Sequence, residues 1–157
     1  MREFLARLSL LSLLFLSIPL QAVELPLLTD LKKDSQLADS HFLLVLISQP
    51  NCSYCRLIEE EILKPMQASG RYDDRLLFRN LIINDGYQLI DLDGHQVSAN
   101  QFALRYSSSL TPTLLFINPL DGSELIEKMI GITTVDMYGF YVDKAIDTAH
   151  RQLLNLH

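Results

Sequence analysis

The feature that most constrains this chain is a pair of cysteines, Cys52 and Cys55, the two cysteines among its 157 residues. They stand between segments of opposite character. Residues 42–47 are wholly apolar, as expected of a central strand covered on both faces. Residues 56–66 carry apolar side chains on one face and glutamates on the other, the pattern of an amphipathic helix. The sequence therefore predicts a strand, a turn broken by Pro50, and a helix around the pair.

Two cysteines three residues apart approach closely when the first stands at a helix N-terminus and the second lies one turn later. The N–H groups at that terminus are unpaired and carry a partial positive charge. This favours the thiolate of Cys52 over its thiol. The thiolate is the nucleophile of disulfide exchange, and Cys55 is placed to resolve the mixed disulfide. The spacing indicates redox chemistry.

Three other interpretations of the pair stay open. A structural zinc site needs four ligands, and the sequence offers neither a second CxxC motif nor ligand spacing among its four histidines. A purely structural disulfide would close a loop so short that it removes little entropy from the unfolded chain. Two unrelated buried thiols are the third possibility. We favour the redox pair and expect no metal site.

The first 22 residues have the pattern of a secretory signal peptide. Arg2 and Arg7 lie in a basic n-region, and residues 8–20 form an apolar stretch interrupted by serines. That stretch is short for a membrane span, although an uncleaved anchor is the alternative. We predict an exported protein, periplasmic if its source is a Gram-negative bacterium, with residues 23–157 as a single domain.

The mature chain is acidic. Removal of residues 1–22 reduces the 13 basic and 19 acidic residues to 11 and 18, a net charge of −7. This balance argues against nucleic acid or an anionic membrane surface as the partner. In an oxidising compartment a CxxC pair persists as a disulfide, so a reducing role requires an electron donor.

Helices and strands alternate along the remainder of the chain. The predicted segments are a helix over 27–38, a strand over 76–83, short strands at 87–92 and 95–97, a helix over 99–106, strands over 111–117 and 124–130, and a helix from about 133 to 154. This order suggests a mixed sheet with helices on both faces. Asp93-Gly94 is a hairpin-turn signal, and Ser98 with Gln101 forms a capping-box pattern. Pro65 is expected to kink or end its helix.

Apolar spacing also predicts which helix faces are buried. In the first helix these positions are Leu27, Leu28, Leu31 and Leu37. In the last helix they are Val135, Tyr138, Val142, Ala145, Ile146, Ala149 and Leu153. His95 is interpreted as a solvated hairpin residue.

With Cys52-Ser53-Tyr54-Cys55, Thr111-Pro112-Thr113 and Gly131 in this order, the chain resembles thioredoxin-fold proteins. It is most similar to the exported, thioredoxin-related group that includes SoxW-like proteins, over about residues 30–154. The resemblance implies an α/β thioredoxin fold, with a central mixed sheet flanked by helices and a hairpin-plus-helix insertion before the cis-proline strand. Residues 91–106 look like that insertion.

The resemblance also implies a function, an exported thiol–disulfide oxidoreductase that reduces the disulfides of specific client proteins. Cys52 would attack and Cys55 would resolve, and their redox-active disulfide takes the place of a cofactor. The expected partners are client proteins with disulfides or thiols and an electron donor or acceptor, such as a membrane thiol–disulfide system. We expect a monomer. The alternatives are a dithiol oxidase, a disulfide isomerase, or a non-catalytic binding module of the same fold.

Further site residues follow from the resemblance. Pro112 is expected in the cis form, packed against the disulfide, where it keeps metals off the thiols. Thr111 would expose its backbone to a client peptide, which adds as a strand. Ser53 and Tyr54 would tune the stability of the thiolate and the reduction potential. The predicted apolar patch for the client comprises Pro50, Tyr54, Thr111, Pro112, Gly131 and Ile132.

The chain departs from thioredoxin at several positions. Asn51 stands where thioredoxin has a tryptophan. Leu46 occupies the strand position of a buried carboxylate that assists proton transfer from the resolving thiol, so the general base is unassigned. Glu59 is a candidate, which we interpret as a solvated helix residue. Tyr54 is similar to the residue at this position in glutaredoxins and exported isomerases, although the chain lacks room for the isomerases' dimerisation domain.

Overall fold

The computed structural model describes residues 24–36 and 41–156. The predicted signal peptide lies outside these ranges, so export stays a prediction. In the two described segments, no helix combines the length and apolarity needed to cross a bilayer.

Strands and helices alternate along the chain, much as the sequence predicts. In order they are α1 (Leu31–Gln36), β1 (Phe42–Ser48), α2 (Ser53–Ile58), a π-helical segment (Glu59–Leu63), α3 (Lys64–Ala68), β2 (Leu76–Ile82), β3 (Gln88–Ile90), β4 (Gln96–Ser98), α4 (Ala99–Arg105), β5 (Thr113–Ile117), β6 (Met129–Ile130) and α5 (Val135–Leu154).

The predicted mixed sheet is confirmed. Its strand order is β2-β1-β5-β6, with β1 parallel to β2 and β5 antiparallel to both β1 and β6. The hairpin β3–β4 forms a separate two-stranded sheet. The central position of β1 explains its unbroken apolar run, because both of its faces are covered.

Alternate side chains of β1 belong to two separate cores, as the period of two along a strand requires. One core joins Leu44 and Leu46 to buried residues of α2 and α5, such as Ile58 and Val142. The other contains further residues of the same strand and buried residues of α1 and α4; its strand members are Leu43, Val45 and Ile47. Helices therefore cover both faces of the sheet.

The first helix is shorter than predicted, because the residues before it add to the sheet. Leu27 forms an isolated parallel bridge with Asn80, and the Leu28 N–H donates to the Asn80 carbonyl over 2.9 Å. Leu28 and Leu31 are buried as predicted, whereas Leu27 is 43% exposed. Leu37 lies outside the described residues. The edge of β2 offers unpaired backbone groups, and pairing with them outweighs the local helical pattern.

Pro65 does not end its helix, contrary to one predicted outcome. The N–H of Lys64 donates to the carbonyl of Glu59, which widens the turn just before the proline. A proline has no N–H to donate, and its ring approaches the carbonyl four residues earlier, here that of Glu61. The π-helical segment accommodates this residue, and helical structure continues to Ala68.

The strand predicted at 124–130 is reduced to β6 and one isolated bridge between Ile117 and Glu124. Leu125 and Ile126 between them pack against the core. The Leu125 N–H donates to the Phe116 carbonyl over 2.8 Å, but this bond does not extend the strand. The buried face of α5 is confirmed for Tyr138, Val142, Ile146, Ala149 and Leu153. Ala145 is half-buried and Val135 is 49% exposed, since the first turn of α5 extends past the core.

The local signals of the inserted segment are confirmed. Asp93-Gly94 lies in the turn between β3 and β4, where Gly94 adopts a positive φ of 87°. Ser98 caps α4 through a capping box with Gln101. His95 is exposed at the hairpin turn, as predicted.

Candidate active site

The two cysteines are joined by a disulfide at the start of α2, with their Cα atoms 5.2 Å apart. Cys52 is the N-cap residue of the helix, and its sulfur accepts the N–H of Cys55 over 3.1 Å. Asn51 before it has a φ of 62°, a left-handed conformation that asparagine tolerates better than most residues. The turn therefore presents Cys52 to one of the unpaired donors of the helix.

The two sulfurs differ in access. Cys52 is half-buried, whereas Cys55 is only 3% exposed. Nucleophilic exchange with an external disulfide depends on access to the attacking sulfur. The geometry thus leaves Cys52 as the more accessible cysteine and Cys55 as the internal one.

A cavity of about 360 Å³ adjoins the disulfide. It is formed by the end of β1, the following turn, α2 and the end of β2. Its lining residues are Ser48, Gln49, Pro50, Asn51, Cys52, Cys55, Arg56, Glu59, Asn80, Ile82 and Asn84. The cavity is large enough to admit water, and seven of its eleven lining residues have polar or charged side chains.

A hydrogen-bonded chain of three side chains lines the cavity. The hydroxyl of Ser48 donates to Oδ1 of Asn80 over 2.6 Å, and Nδ2 of Asn80 donates to Oε2 of Glu59 over 3.2 Å. Ser48 and Asn80 are both buried, at 4% and 5% exposure. Buried polar groups are retained when they are hydrogen-bonded to one another, and here the last acceptor is a carboxylate beside the redox pair.

The interpretation of Glu59 as a solvated helix residue is wrong. Its side chain is 19% exposed, and its Oε1 lies 3.7 Å from Nζ of Lys64. Burial raises the pKa of Glu59 above its ordinary value, opposed by the charge of Lys64 and assisted by those of Glu60 and Glu24. The contact with Asn80 of β2, which sequence periodicity does not reveal, leaves Glu59 only partly exposed to solvent.

Sheet pairing brings the remaining predicted site residues to the same end of the sheet as the cysteines. Thr113 is paired with Ile47 of β1 and with Ile130 of β6. Thr111 and Pro112, just before β5, and Gly131, just after β6, therefore lie beyond the carboxyl end of β1, from which the CxxC turn departs.

The details of this loop are well defined. The Thr111–Pro112 bond is cis, and the Gly131 N–H donates to the Pro112 carbonyl over 2.8 Å. Gly131 has a φ of 67°, a backbone conformation that favours glycine. Pro112 is buried and Thr111 is half-buried.

The other residues of the predicted client patch differ in exposure. Tyr54 is 58% exposed, Ser53 and Pro50 are exposed, and Ile132 is half-buried against the core. Their assembly into one client-binding surface stays a prediction.

Among the residues that the structure describes, Asp91, Asp93 and His95 form a group with ligand atoms within 4.8 Å of one another. Their bonds define the hairpin turn. Asp91 accepts the N–H of His95 over 2.8 Å and the guanidinium of Arg105 over 3.1 Å. Burial raises the pKa of Asp91. The hydrogen bonds and charges of His95 and Arg105 together lower the pKa by more than burial raises it, so the net shift is downward. Asp91 thus joins the hairpin to α4.

Sequence reasoning assigned no role to five polar residues of the cavity: Ser48, Gln49, Arg56, Asn80 and Asn84. One signal was available for two of them. Ser48 ends an apolar run, and Asn80 interrupts the apolar strand β2. A polar residue within a buried strand needs a partner, but the sequence does not say which one.

Comparisons with known proteins agree with this geometry. A family model described as a thioredoxin-like domain matches residues 30–146. Comparison with curated proteins finds no significant match.

Among solved structures, oxidised mitochondrial thioredoxin 3 from Saccharomyces cerevisiae is 19% identical, with a TM-score of 0.50 over 78% of this chain and 93% of that one. Thioredoxin O2 from Arabidopsis thaliana, also oxidised, is 16% identical, with a TM-score of 0.49 over 78% and 94%. At such identities, structural similarity concerns the fold alone.

The predicted α/β thioredoxin fold is confirmed by the sheet, the flanking helices and this similarity. The fold, together with the Cys52–Cys55 disulfide, supports thiol–disulfide oxidoreductase activity in general. Because the family model covers most of the sequence, the chain belongs to the thioredoxin-like domain family.

Proposed function

We propose that this protein is an exported thiol–disulfide oxidoreductase that reduces disulfides in specific client proteins. Cys52 attacks a client disulfide and forms a mixed disulfide, while one client sulfur leaves as a thiolate. Cys55 then attacks the sulfur of Cys52, which releases the second client sulfur and leaves the Cys52–Cys55 disulfide. An electron donor, for which a membrane thiol–disulfide system is suited, must reduce the pair again.

One observation carries this proposal: the two cysteines at the start of α2 differ in their access to solvent. Cys52 accepts a backbone N–H and is half-buried, whereas Cys55 is shielded. Donation of an N–H to sulfur stabilises a thiolate. The signal-peptide pattern of residues 1–22 supports export, and the exposed Tyr54 beside the pair offers a contact for a client.

The order of attack is tested with two variants. Cys55→Ala should accumulate mixed disulfides on Cys52 when it is exposed to extracts of its own compartment, because nothing resolves them. Cys52→Ser should accumulate none and should show no exchange with a model disulfide. Specific adducts would exclude a non-catalytic binding module, and full exchange by Cys52→Ser would refute the proposal.

The direction of electron flow is tested by the equilibrium reduction potential of the pair in a dithiothreitol or glutathione buffer. A reductant should have a potential near that of thioredoxin, about −270 mV. A value between about −180 and −120 mV would indicate an isomerase or an oxidant instead. The export step is tested separately, by locating the full-length chain after cell fractionation.

A further inference from the structure

Resolution of a mixed disulfide requires Cys55 to lose its proton, and the apolar β1 offers no acid or base for this step. Leu46 and its neighbours on β1 up to Ile47 are fully buried apolar residues. A proton acceptor must therefore come from another element. The cavity beside the disulfide contains one carboxylate in its described lining, that of Glu59.

Glu59 lies one helical turn after Cys55, and its N–H donates to the Cys55 carbonyl. Residues four apart share one face of a helix. Both line the same cavity, which is wide enough for water to connect a buried sulfur with a carboxylate.

The hydrogen bonds around Glu59 hold its carboxylate in place. Because Ser48 donates its hydroxyl to Oδ1 of Asn80, the amide N–H₂ of Asn80 is directed at Glu59. The other carboxylate oxygen lies near Lys64, whose Nζ also pairs with Glu24 and Glu60. Arg56 is a further charged residue of the cavity. Both carboxylate oxygens of Glu59 therefore have a polar neighbour, and the side chain also lines the cavity.

We propose that Glu59, held by Asn80, is the internal proton acceptor for the Cys55 thiol. This inference rests on the proposed function. In the resolving step the Cys55 S–H gives its proton to the Glu59 carboxylate through cavity water. The new thiolate forms a bond to the Cys52 sulfur, and the bond between Cys52 and the client sulfur breaks. The client leaves as a thiolate, which Glu59 or solvent protonates.

The raised pKa of Glu59 agrees with this role, because burial brings the carboxyl closer to the working pH of a general base. Lys64 opposes the shift and so favours the ionised carboxylate, which is the form that accepts a proton. Asn80 becomes a positioning residue under this assignment, since it acts through Glu59.

The test isolates the resolving step. Reduced protein is mixed with an aromatic disulfide that releases a coloured thiolate, once when Cys52 attacks and again when Cys55 resolves. The second release is timed from pH 4.5, the ordinary pKa of a glutamate, to pH 9. In the wild type its rate should rise through the pKa of Glu59. In Glu59→Gln it should fall by roughly 100-fold at neutral pH and rise only where a free thiol ionises, near pH 8.5.

Two further variants complete the experiment. Glu61→Gln, on an exposed residue of the same helical segment, should resolve at the wild-type rate. Asn80→Ala removes a bond that favours the charged carboxylate, so the rising limb should move to higher pH. This second variant keeps the test decisive if Glu59→Gln folds poorly.

A Glu59→Gln protein that resolves as fast as the wild type with the same pH profile, or faster, overturns the inference. A faster rate would mean that the carboxylate only disfavours a neighbouring thiolate. The first release, by Cys52, should be unchanged in Glu61→Gln. Reduction of a protein disulfide such as that of insulin by the wild type tests the proposed function separately, because its failure leaves the Glu59 dependence of resolution intact.

Discussion

Leu46 and Asn80 are direct partners in the parallel pairing of β1 and β2. Leu46 is fully buried in the apolar core, and Asn80 beside it donates to the Glu59 carboxylate over 3.2 Å. The carboxylate and the amide that line the cavity with Cys55 thus come from the helix and β2, while β1 is apolar from Phe42 to Ile47. At this paired position, β1 contributes a side chain to the apolar core and β2 contributes a hydrogen-bond donor to Glu59.

This division predicts that a carboxylate at position 46 is not tolerated. In Leu46→Asp an unpaired acid is buried, which raises its pKa, so destabilisation should grow as pH rises above about 4. The neutral Leu46→Asn is the matched control. The two variants should unfold in urea with similar free energies at pH 4 and differ by about 3 kcal/mol at pH 8. Parallel pH profiles would mean that Asn80 or water solvates the acid.

Glu59 should destabilise the fold as it ionises. Its folded pKa is raised above 4.5, chiefly by burial. Its favourable contribution is therefore present below that ordinary value and is lost as pH rises through the folded pKa. Glu59→Gln should gain unfolding free energy relative to the wild type from pH 4.5 toward neutrality, measured by urea titration. Glu60→Gln, with a side chain 51% exposed, should show a much smaller trend. If the wild type instead becomes more stable relative to Glu59→Gln as pH rises, the pairing of Glu59 with Lys64 outweighs its burial.

The pair of Arg79 and Asp34 joins β2 to α1, with Nε and Oδ2 at 2.9 Å and side chains only 15% and 8% exposed. Arg79→Leu should lower the unfolding free energy by about 3–5 kcal/mol, because it leaves a buried carboxylate unpaired. The double variant Arg79→Leu/Asp34→Leu should lose less than Arg79→Leu alone.

The matched control for this pair is Arg71→Ala. The Arg71 side chain is 58% exposed in its pair with Asp143, so its loss should change stability by less than about 1 kcal/mol. Additive losses in the double variant would contradict the assignment of Arg79 and Asp34 as a coupled pair.

Tyr72 connects the segment before β2 to α5, since its hydroxyl donates to Asp143 over 2.6 Å. Tyr72→Phe should lower the unfolding free energy by about 1.5–3 kcal/mol, the range for a hydrogen bond to a charged group. Burial, and then the bond to Asp143, raise the pKa of Tyr72 to about 12.

The pH dependence follows from the sign of this shift. A raised pKa gives stability that is present below the unfolded value, near 10, and is lost as pH rises toward 12. The difference in unfolding free energy between the wild type and Tyr72→Phe should therefore become smaller between pH 10 and pH 12. Tyr141→Phe, on the exposed face of α5, serves as the control and should leave stability unchanged. A constant gap would show that the hydroxyl contributes through packing alone.

The parts of the site that sequence reasoning predicted correctly depend on near neighbours in the chain. The apolar run of β1, the turn containing Pro50 and Cys52, and the helical pattern behind them lie within about two dozen residues. The capping box of Ser98 and Gln101 is also local. Each of these signals acts through backbone preferences or bonds that span a few residues, so the tertiary structure left them unchanged.

The errors occurred where a distant partner competed with a local preference. Leu27 and Leu28 fit a helix, but β2 offered them a sheet edge. Glu59 fits a solvated helix face. However, Asn80, which is 21 residues away, donates a hydrogen bond to its carboxylate and connects it to a partly buried network. The short β6 reflects the same competition, because Leu125 and Ile126 pack against the core and isolated contacts, not a continuous ladder, join their segment to β5.

The sequence by itself determined the redox pair, its placement between strand and helix, and the class of fold that can present it. Only the tertiary structure decided which sulfur is shielded, which carboxylate adjoins it and which amide holds that carboxylate. The physical reason is the distance along the chain over which each interaction acts. Conformational preferences are set by the residue and its neighbours, whereas burial and the partner of a buried polar group depend on elements that meet only when the chain is folded.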